Sequence, residues 1–500
     1  MYTIKYTVKP GDSIYTIARR FGISTRELLR ANNLSSPDIF PGQILEIPIT
    51  YYTVKSGDSL YSISQRLNVP IESLIELNNL ESTNLSIGQR LEIPFYTEVI
   101  VKADVANIRL GPGTNFDIIA QMVEGAPLPV IDINDQWTNI ELYDGREGWI
   151  SNDLVNRNVY GREKPIIALL GYYTLEEGPT LPSSYDSFVA HKEDLTNVPM
   201  FLFQISEDDP TTIVKFGEFT NQYVKDVIEI GHRSNVKMLA LIHNLLYPGG
   251  VEKAKEITSN MLATEETRGT FIENTIELIE GYGFDGVNID IEDVAIEDSE
   301  KLSQFFIELG EALSERGYYL AASVPSRVSD EPFNPFSDPF DYGVIGKAVD
   351  EFDVMLYNEH GWPGSGPGPV VSIGWMDRVL KYTITKMPKE KIMAAVSVFG
   401  FDFNLTTEKN AYVTYDRAMQ LAERYDKEVI FDEETQTPYF AYTDEDGNEH
   451  EVWFENAQSI KAKIDLASEL GIKGIALWRL GMEDESMWNM IIEDVVIKRF

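Results

Sequence analysis

The stretch that decides the fold is FDGVNIDIE, residues 284–292, which alternates apolar and polar side chains as a β-strand does. The β-branched side chains share one face and the polar side chains share the other: Val287, Ile289 and Ile291 against Asn288, Asp290 and Glu292. Because positions two apart on a strand lie roughly 6.6 Å apart on one face, Asp290 and Glu292 are predicted to share a cavity. Two carboxyl groups that close raise the pKa of one of them, so the stretch predicts a general acid.

The composition is that of a folded protein with several domains. The chain has 500 residues, of which 43% are hydrophobic. No apolar run approaches the roughly 18 residues that a membrane-spanning helix needs. The net charge of −38 argues against nucleic acid and anionic membrane as partners. No protein partner is predicted.

The residue types that hold metals and disulfides are scarce. The chain has no cysteine, and its five histidines show no metal-ligand spacing, so we expect neither a metal nor a cofactor.

The first residues, MYTIKY, include no apolar segment of the kind found in secretory signal peptides. GYGFDG at 281–286 fits Gly-x-Gly-x-x-Gly, but it follows a predicted helix and opens a strand, which is the reverse of a dinucleotide site.

The first 95 residues contain an internal repeat with a constant offset of 46 residues. YTVKPGDS at 6–13 recurs as YTVKSGDS at 52–59, NNL at 32–34 recurs at 78–80, and PGQ at 41–43 recurs as IGQ at 87–89. Each copy predicts a strand, a helix capped at Gly-Asp-Ser, a second helix and a strand. This β-α-α-β order resembles two LysM domains, at 5–49 and 51–95. The resemblance implies binding of N-acetylglucosamine-containing glycans between the Gly-Asp-Ser loop and the loop after Asn-Asn.

Residues 97–158 show a small all-β pattern. NIRLGPG at 107–113 predicts a strand that enters a turn, and Asp144-Gly145 predicts a hairpin before GWI at 148–150. The region resembles a bacterial Src-homology-3-like domain. Its role stays open between ligand recognition and a passive spacer.

From 165 to 500, apolar strands alternate with helical segments, which predicts a (β/α)8 TIM barrel. The predicted strands cover 166–172, 199–205, 238–242, 286–292, 319–324, 354–357, 392–398 and 474–478. An α+β insertion of about 404–455, with a helix at 416–424 and a hairpin at Asp446-Gly447, is expected near the active-site face.

The predicted fourth strand carries Asp-Gly-x-x-x-Asp-x-Glu at 285–292. GYY at 171–173, MLYNEH at 355–360 and LWRLG at 477–481 lie at the ends of the predicted first, sixth and eighth strands. Over the whole barrel these segments resemble glycoside hydrolase family 18, and most of all its LysM-bearing, spore-associated branch. The carboxyl ends of barrel strands form one pocket, so the segments are expected to converge.

The resemblance implies substrate-assisted catalysis, in which the acetamido oxygen of the sugar attacks its own anomeric carbon. Glu292 is then the general acid and base, Asp290 orients the acetamido N–H, and Tyr357 hydrogen-bonds the acetamido carbonyl. Trp478 provides an apolar floor for the acetyl methyl. The expected substrate-binding residues are Asn288, Trp478, Asn358 and Tyr172.

Two departures from the family pattern stand out. The family often has Asp where Asn288 and Asn358 stand, and an amide at Asn288 cannot share a proton with Asp290. The third strand, at 237–243, lacks the Ser-x-Gly-Gly pattern of many chitinases.

Trp362 and Trp375 flank a Gly/Pro-rich loop. Their role stays open between stacking on sugars and packing of the loop.

These patterns predict a multidomain glycosidase that cleaves N-acetylglucosaminyl bonds of peptidoglycan and is associated with the spore or the cell wall. One alternative is a chitinase-type hydrolase of N-acetylglucosamine polymers. Another is a non-catalytic protein that binds the wall or coat. The intact pair of Asp290 and Glu292 argues against the latter.

Overall fold

A computed structural model describes residues 3–21, 25–32, 34, 36–48, 51–67, 69–161, 164–178, 181–332, 334–357, 359–362 and 364–499. The chain forms two compact units, Met1–Lys164 and Pro165–Phe500. Among the described residues, no helix is long and apolar enough to cross a membrane, and no group of acidic or histidine side chains is arranged to hold a metal ion.

The two repeats fold as the predicted β-α-α-β units. The first comprises Thr3–Thr7, Ile14–Phe21, Thr25–Ala31 and Ile44–Pro48, and the second comprises Tyr51–Thr53, Leu60–Leu67, Ile71–Leu77 and Arg90–Glu92. In each unit the two strands pair antiparallel. Together the units supply one set of buried apolar side chains.

The repeated polar residues explain why both copies fold alike. Ser59 caps the first helix of the second unit, because its hydroxyl accepts from the Ser62 backbone N–H at 3.1 Å while the Ser62 hydroxyl accepts from the Ser59 N–H at 2.9 Å. The amide of Asn78 donates to the carbonyl of Glu92 at 2.8 Å and accepts from its N–H at 2.7 Å. The last strand is thereby tied to the second helix. Asn33, the second asparagine of the first copy, lies outside the described residues.

The next region is a seven-stranded antiparallel barrel-like sheet, as the Src-homology-3-like pattern predicts. Its strands are Tyr96–Val101, Val105–Arg109, Ile118–Val123, Pro127–Ile133, Trp137–Glu141, Glu147–Ser151 and Val155–Tyr160. The last strand pairs with the first, from Val155 opposite Val101 to Tyr160 opposite Tyr96. The predicted hairpin at Asp144-Gly145 joins two of these strands.

The second unit is a closed barrel of eight parallel strands, which confirms the predicted fold class. In chain order, barrel strands 1 to 8 are Ile166–Gly171, Asn197–Ile205, Lys237–His243, Gly286–Asp290, Tyr319–Pro325, Glu351–Met355, Ile392–Ser397 and Gly474–Trp478. Closure comes from pairing of strand 8 with strand 1, where Gly474 lies opposite Ala168. Strand 4 ends at Asp290 and strand 6 at Met355, both earlier than the sequence predicts.

Helices surround the barrel, and apolar side chains fill it on both sides of the strands. The helices are Tyr185–His191, Asn221–Arg233, Gly250–Leu262, Glu265–Tyr282, Ser299–Ser314, Tyr342–Ala348, Ile373–Ile384, Ala457–Leu470 and Ser486–Asp494. Two short strands, Ile213–Lys215 and Val496–Ile497, extend the sheet at barrel strands 2 and 1.

The α+β insertion is present between barrel strands 7 and 8. Its antiparallel strands are Gly400–Asn404, Lys409–Val413, Ile430–Asp432, Thr437–Thr443 and Glu449–Trp453, and its helix is Tyr415–Arg424. The first of these strands begins before the predicted start at 404, because Gly400–Asn404 pairs with Glu449–Trp453 far along the chain. The predicted hairpin at Asp446-Gly447 joins the last two strands.

Candidate active site

Barrel strand 4 has the two predicted faces. Val287 and Ile289 are fully buried in the layer between strands and helices. Asn288 and Asp290 point into the barrel, where 0% and 3% of their surface is exposed. Glu292 follows two residues after the strand and is only partly buried. The strand therefore delivers one carboxyl group inside the barrel and another at its carboxyl-terminal rim.

The Asp-Gly that opens the motif fixes the start of this strand. The Asp285 carboxylate accepts from the Met238 backbone N–H at 2.7 Å and lies 2.9 Å from Nε2 of His232. Gly286 allows the neighbouring strand to approach closely, since a Cβ at this position would lie 2.0 Å from the carbonyl oxygen of Tyr319. These two residues hold the strand in register and do not face the pocket.

Asn288 belongs to a hydrogen-bond network inside the barrel. Its amide donates to Asp353 Oδ2 at 2.8 Å and accepts from the Ser323 hydroxyl at 2.9 Å. The Tyr172 hydroxyl donates to the same Asp353 oxygen at 3.2 Å and lies 3.0 Å from the Ser323 hydroxyl. Both amide atoms of Asn288 are thus occupied by protein groups, as is the Tyr172 hydroxyl. Their assignment as substrate-binding residues remains a prediction.

Asp353 supplies a third acid that the sequence reasoning missed. It lies on barrel strand 6 and is fully buried. Burial, and secondarily the charge of Glu351, raises the pKa of Asp353 well above its usual value. The signal in the sequence was present in EFDVM at 351–355, where two acids interrupt an apolar strand. Nothing in that segment alone indicates that Asp353 meets Asn288.

The two acids of the motif both resist ionisation. Burial raises the pKa of Asp290 to about 7. Burial also raises the pKa of Glu292 well above its usual value, and the negative charges of Asp290 and Asp293 add to that rise. Oδ1 of Asp290 is buried without a hydrogen-bond partner among the described residues. Glu292 thus provides a protonated carboxyl group near neutral pH, and Asp290 provides an oxygen that can accept a hydrogen bond from a ligand.

Aromatic side chains form the floor and wall beside these acids. Trp478, at the end of barrel strand 8, has its ring centroid 5.1 Å from that of Tyr172 and 6.2 Å from that of Tyr357. The peptide bond between Trp478 and Arg479 is cis. Burial raises the pKa of Tyr357 well above its usual value, followed by the charges of Asp290 and Glu292. The hydroxyl of Tyr357 therefore stays protonated beside both acids.

The remaining sequence candidates have separate positions. Trp375 donates its indole N–H to the carbonyl of Leu356 at 3.0 Å, which supports packing. Trp362 is 54% exposed, and its role stays open between sugar stacking and packing. Asn358 lies outside the described residues.

The insertion contributes a further aromatic residue near Glu292. Tyr412 is 53% exposed, and its ring centroid lies 4.6 Å from that of Phe401. The partial burial of the Tyr412 side chain raises its pKa, and the negative charges of Glu177 and Glu292 raise it further. The insertion therefore reaches the rim where the acid lies.

Barrel strand 3 holds a histidine that the sequence reasoning did not single out. His243 is fully buried, lies opposite Asp290 in the register of the sheet, and stacks on Phe201 with 4.0 Å between ring centroids. Its Nδ1 accepts from the Leu245 backbone N–H at 3.1 Å, and burial lowers the pKa of His243 to about 3. The absence of Ser-x-Gly-Gly from this strand was the available signal.

Comparison with known proteins identifies the barrel. The sequence profile described as "Glycosyl hydrolases family 18" matches residues 169–483. The chain belongs to glycosyl hydrolase family 18. The profile "LysM domain" matches 6–48 and 52–94, and "Bacterial SH3 domain" matches 104–156. These matches confirm the family-18, LysM and Src-homology-3-like predictions, and they show that the chain is a glycoside hydrolase.

Individual relatives are similar to this chain over different parts of its length. The chain is 29% identical over 313 residues to the cortical fragment-lytic enzyme of Bacillus anthracis, covering 61% of this chain and 69% of that protein. It is 32% identical over 248 residues to the cortical fragment-lytic enzyme of Bacillus cereus, covering 49% and 57%. The crystal structure of the Bacillus cereus spore cortex-lytic enzyme SleL aligns with a TM-score of 0.60 and 27% identity, covering 100% of both chains.

Replacing Asp290 by Asn is expected to stabilise the protein at high pH. The pKa of Asp290 is about 7 in the folded protein against 3.8 for the unperturbed group. Below pH 3.8 both states hold the proton, and between these values only the unfolded state releases it, so stability falls as pH rises through this window. The difference between these two pKa values limits the effect on stability to about 4 kcal/mol.

The measurement is the free energy of unfolding of the parent and Asp290→Asn at pH 4 and near pH 8. The variant should be more stable near pH 8, with a difference that shrinks toward pH 4. Equal stability of the two proteins at both pH values would contradict the buried, proton-binding state of Asp290.

Proposed function

We propose that this hydrolase cleaves N-acetylglucosaminyl bonds of peptidoglycan by a substrate-assisted, retaining mechanism. The observation that carries the proposal is the convergence of Glu292, Asp290, Tyr357 and Trp478 at one end of the barrel. Two acids, one tyrosine hydroxyl and an indole face provide the polar and apolar contacts that a 2-acetamido sugar needs.

Glu292 is the proposed general acid and base. Its raised pKa keeps a proton available for the glycosidic oxygen of the leaving group. After the leaving group departs, the ionised Glu292 activates the water that opens the cyclic intermediate. A general acid of this kind contributes about 10²–10⁴ in rate, so the rest must come from positioning of the acetamido group.

Asp290 is proposed to accept the acetamido N–H as positive charge develops on that group. Its Oδ1 has no partner among the described residues and is therefore available. Tyr357 is proposed to donate to the acetamido carbonyl, which aims its oxygen at the anomeric carbon. Trp478 lies under the acetyl methyl. Asn288 and Tyr172 support this arrangement from inside the barrel through Asp353.

Peptidoglycan is the proposed substrate because two features point to it together. The LysM domains belong to a class that binds N-acetylglucosamine-containing glycans, and two copies raise the effective concentration of the enzyme on a polymer. The relatives from Bacillus anthracis and Bacillus cereus are cortical fragment-lytic enzymes. We accordingly propose that the protein is associated with the spore or the cell wall. The proposed domains are 5–49, 51–95, 97–158 and 165–500, and the insertion in the last of them runs from Gly400 to about 455.

Glu292→Gln should abolish hydrolysis, because an amide of the same shape has no proton to transfer. We expect a loss of at least about 10²-fold in turnover. The parent and the variant are incubated with purified peptidoglycan and with chitin oligomers, and the new reducing ends are identified by mass spectrometry. N-acetylglucosamine ends from peptidoglycan are expected from the parent alone.

Three results would contradict the proposal in different ways. Muramic acid reducing ends would exclude a glucosaminidase. Faster cleavage of chitin oligomers than of peptidoglycan would favour a chitinase-type hydrolase. Equal product release by Glu292→Gln and the parent would remove Glu292 from the mechanism.

Deleting residues 1–95 should weaken binding to insoluble wall and leave turnover of soluble fragments unchanged. Loss of both modules removes the multivalent contribution, for which we expect at least about a 10²-fold drop in apparent affinity. The bound fraction is measured by co-sedimentation with wall, and kcat by assay of soluble fragments. Unchanged wall binding after the deletion would refute the LysM role.

A further inference from the structure

Asn244 lies directly after barrel strand 3, beside the loop that carries Glu292. It is fully buried. Its side-chain oxygen accepts from the Glu292 backbone N–H at 2.9 Å, and its side-chain nitrogen donates to the Asp293 carbonyl at 3.0 Å. One side chain thus holds the main chain at Glu292 and at the residue after it.

A third hydrogen bond fixes which way the Asn244 amide faces. Its nitrogen also donates to the hydroxyl of Thr258 at 2.8 Å, and that hydroxyl donates onward to the Ala254 carbonyl at 2.9 Å. Because the Thr258 proton is used by Ala254, Thr258 can only accept from Asn244. The amide nitrogen must therefore face Thr258, which leaves its oxygen for Glu292.

These hydrogen bonds connect the two chain segments beyond the last residue pair of barrel strands 3 and 4. Strands 3 and 4 pair as far as His243 opposite Asp290, where strand 4 ends. Glu292 lies two residues farther, beyond the last pair of these two strands, and its backbone N–H donates to Asn244 instead. The Asn244 amide has one donor group and one acceptor, as a peptide unit does, and it takes the place of the next residue pair.

We propose that Asn244 is a positioning residue for Glu292: it holds the loop so that the carboxyl group stays at the glycosidic oxygen. This inference rests on the proposed role of Glu292. Asn244 is fully buried and its amide groups are all engaged by protein, so it acts through the backbone and does not contact the sugar.

Asn244→Ala removes all three hydrogen bonds and tests the proposal. Misplacement of a catalytic group by about 1 Å can lower the rate about 10²-fold, so we expect kcat to fall about 10- to 100-fold. KM should change less than about twofold, because the sugar contacts remain. Both constants are measured on soluble peptidoglycan fragments, at a temperature where circular dichroism shows the variant fully folded. An unchanged kcat would overturn the proposal.

Asn197→Ala provides the matched control. Asn197 is equally buried, at the start of barrel strand 2, and its amide donates to both carboxylate oxygens of Glu351 at 3.0 Å. Its loss should lower the melting temperature while kcat stays within about twofold of the parent. An equal loss of kcat in both variants would show a general effect of buried asparagine removal and would overturn the proposal.

Thr258→Val tests the same point if Asn244→Ala does not fold. Valine has the shape of threonine but cannot accept from the Asn244 amide, so the amide loses the bond that fixes its orientation. We expect kcat to fall about 3- to 10-fold with KM unchanged. A kcat equal to that of the parent would overturn the proposal.

The failure of the positioning role and the failure of the proposed function can be told apart. If Glu292→Gln is inactive and these variants are not impaired, only the positioning role fails. If Glu292→Gln is active, the proposed function itself fails.

Discussion

The burial of carboxyl groups at and near the end of barrel strand 4 is the constraint on which the rest of the site depends. Removing carboxylates from water is costly unless they are protonated or hydrogen-bonded. In this barrel the pKa values of Asp290, Glu292 and Asp353 are all raised, so the fold keeps protons where solvent would remove them. The site thus keeps its carboxyl groups protonated near neutral pH, and the folded protein is less stable above neutral pH, where these groups must ionise.

The barrel geometry turns this constraint into separate roles. Strand 4 ends at Asp290, so Asp290 stays under the pocket while Glu292 reaches the rim. Asn288 does not pair with Asp290; it bonds to Asp353, and the network continues to Ser323 and Tyr172. Where the family often carries a carboxyl at position 288, this barrel has an amide that is hydrogen-bonded to the carboxyl of Asp353 on strand 6.

Much of this architecture could be predicted because it follows from patterns of residues that are close together in the sequence. Alternation in 284–292 indicated the two faces of strand 4, and the repeat of 46 residues indicated two β-α-α-β units. Contacts between distant strands could not be predicted from one sequence. Asp353 meets Asn288 and Asn244 meets Glu292 only after the strands pair, and strand 4 ends where its partner strand 3 ends, at His243 opposite Asp290. The insertion starts at Gly400 for the same reason.

The central claim is that the two motif acids act as a proton donor and an acetamido partner, with no carboxylate nucleophile. The most direct measurement is intact-protein mass spectrometry after incubation with an activated 2-deoxy-2-fluoro glucoside, which traps enzymes whose carboxylate attacks the sugar. The fluoro sugar has no acetamido oxygen, so the account predicts no covalent adduct, while the matching activated N-acetylglucosaminide is hydrolysed. A glycosyl adduct on Asp290 or Glu292 would contradict it.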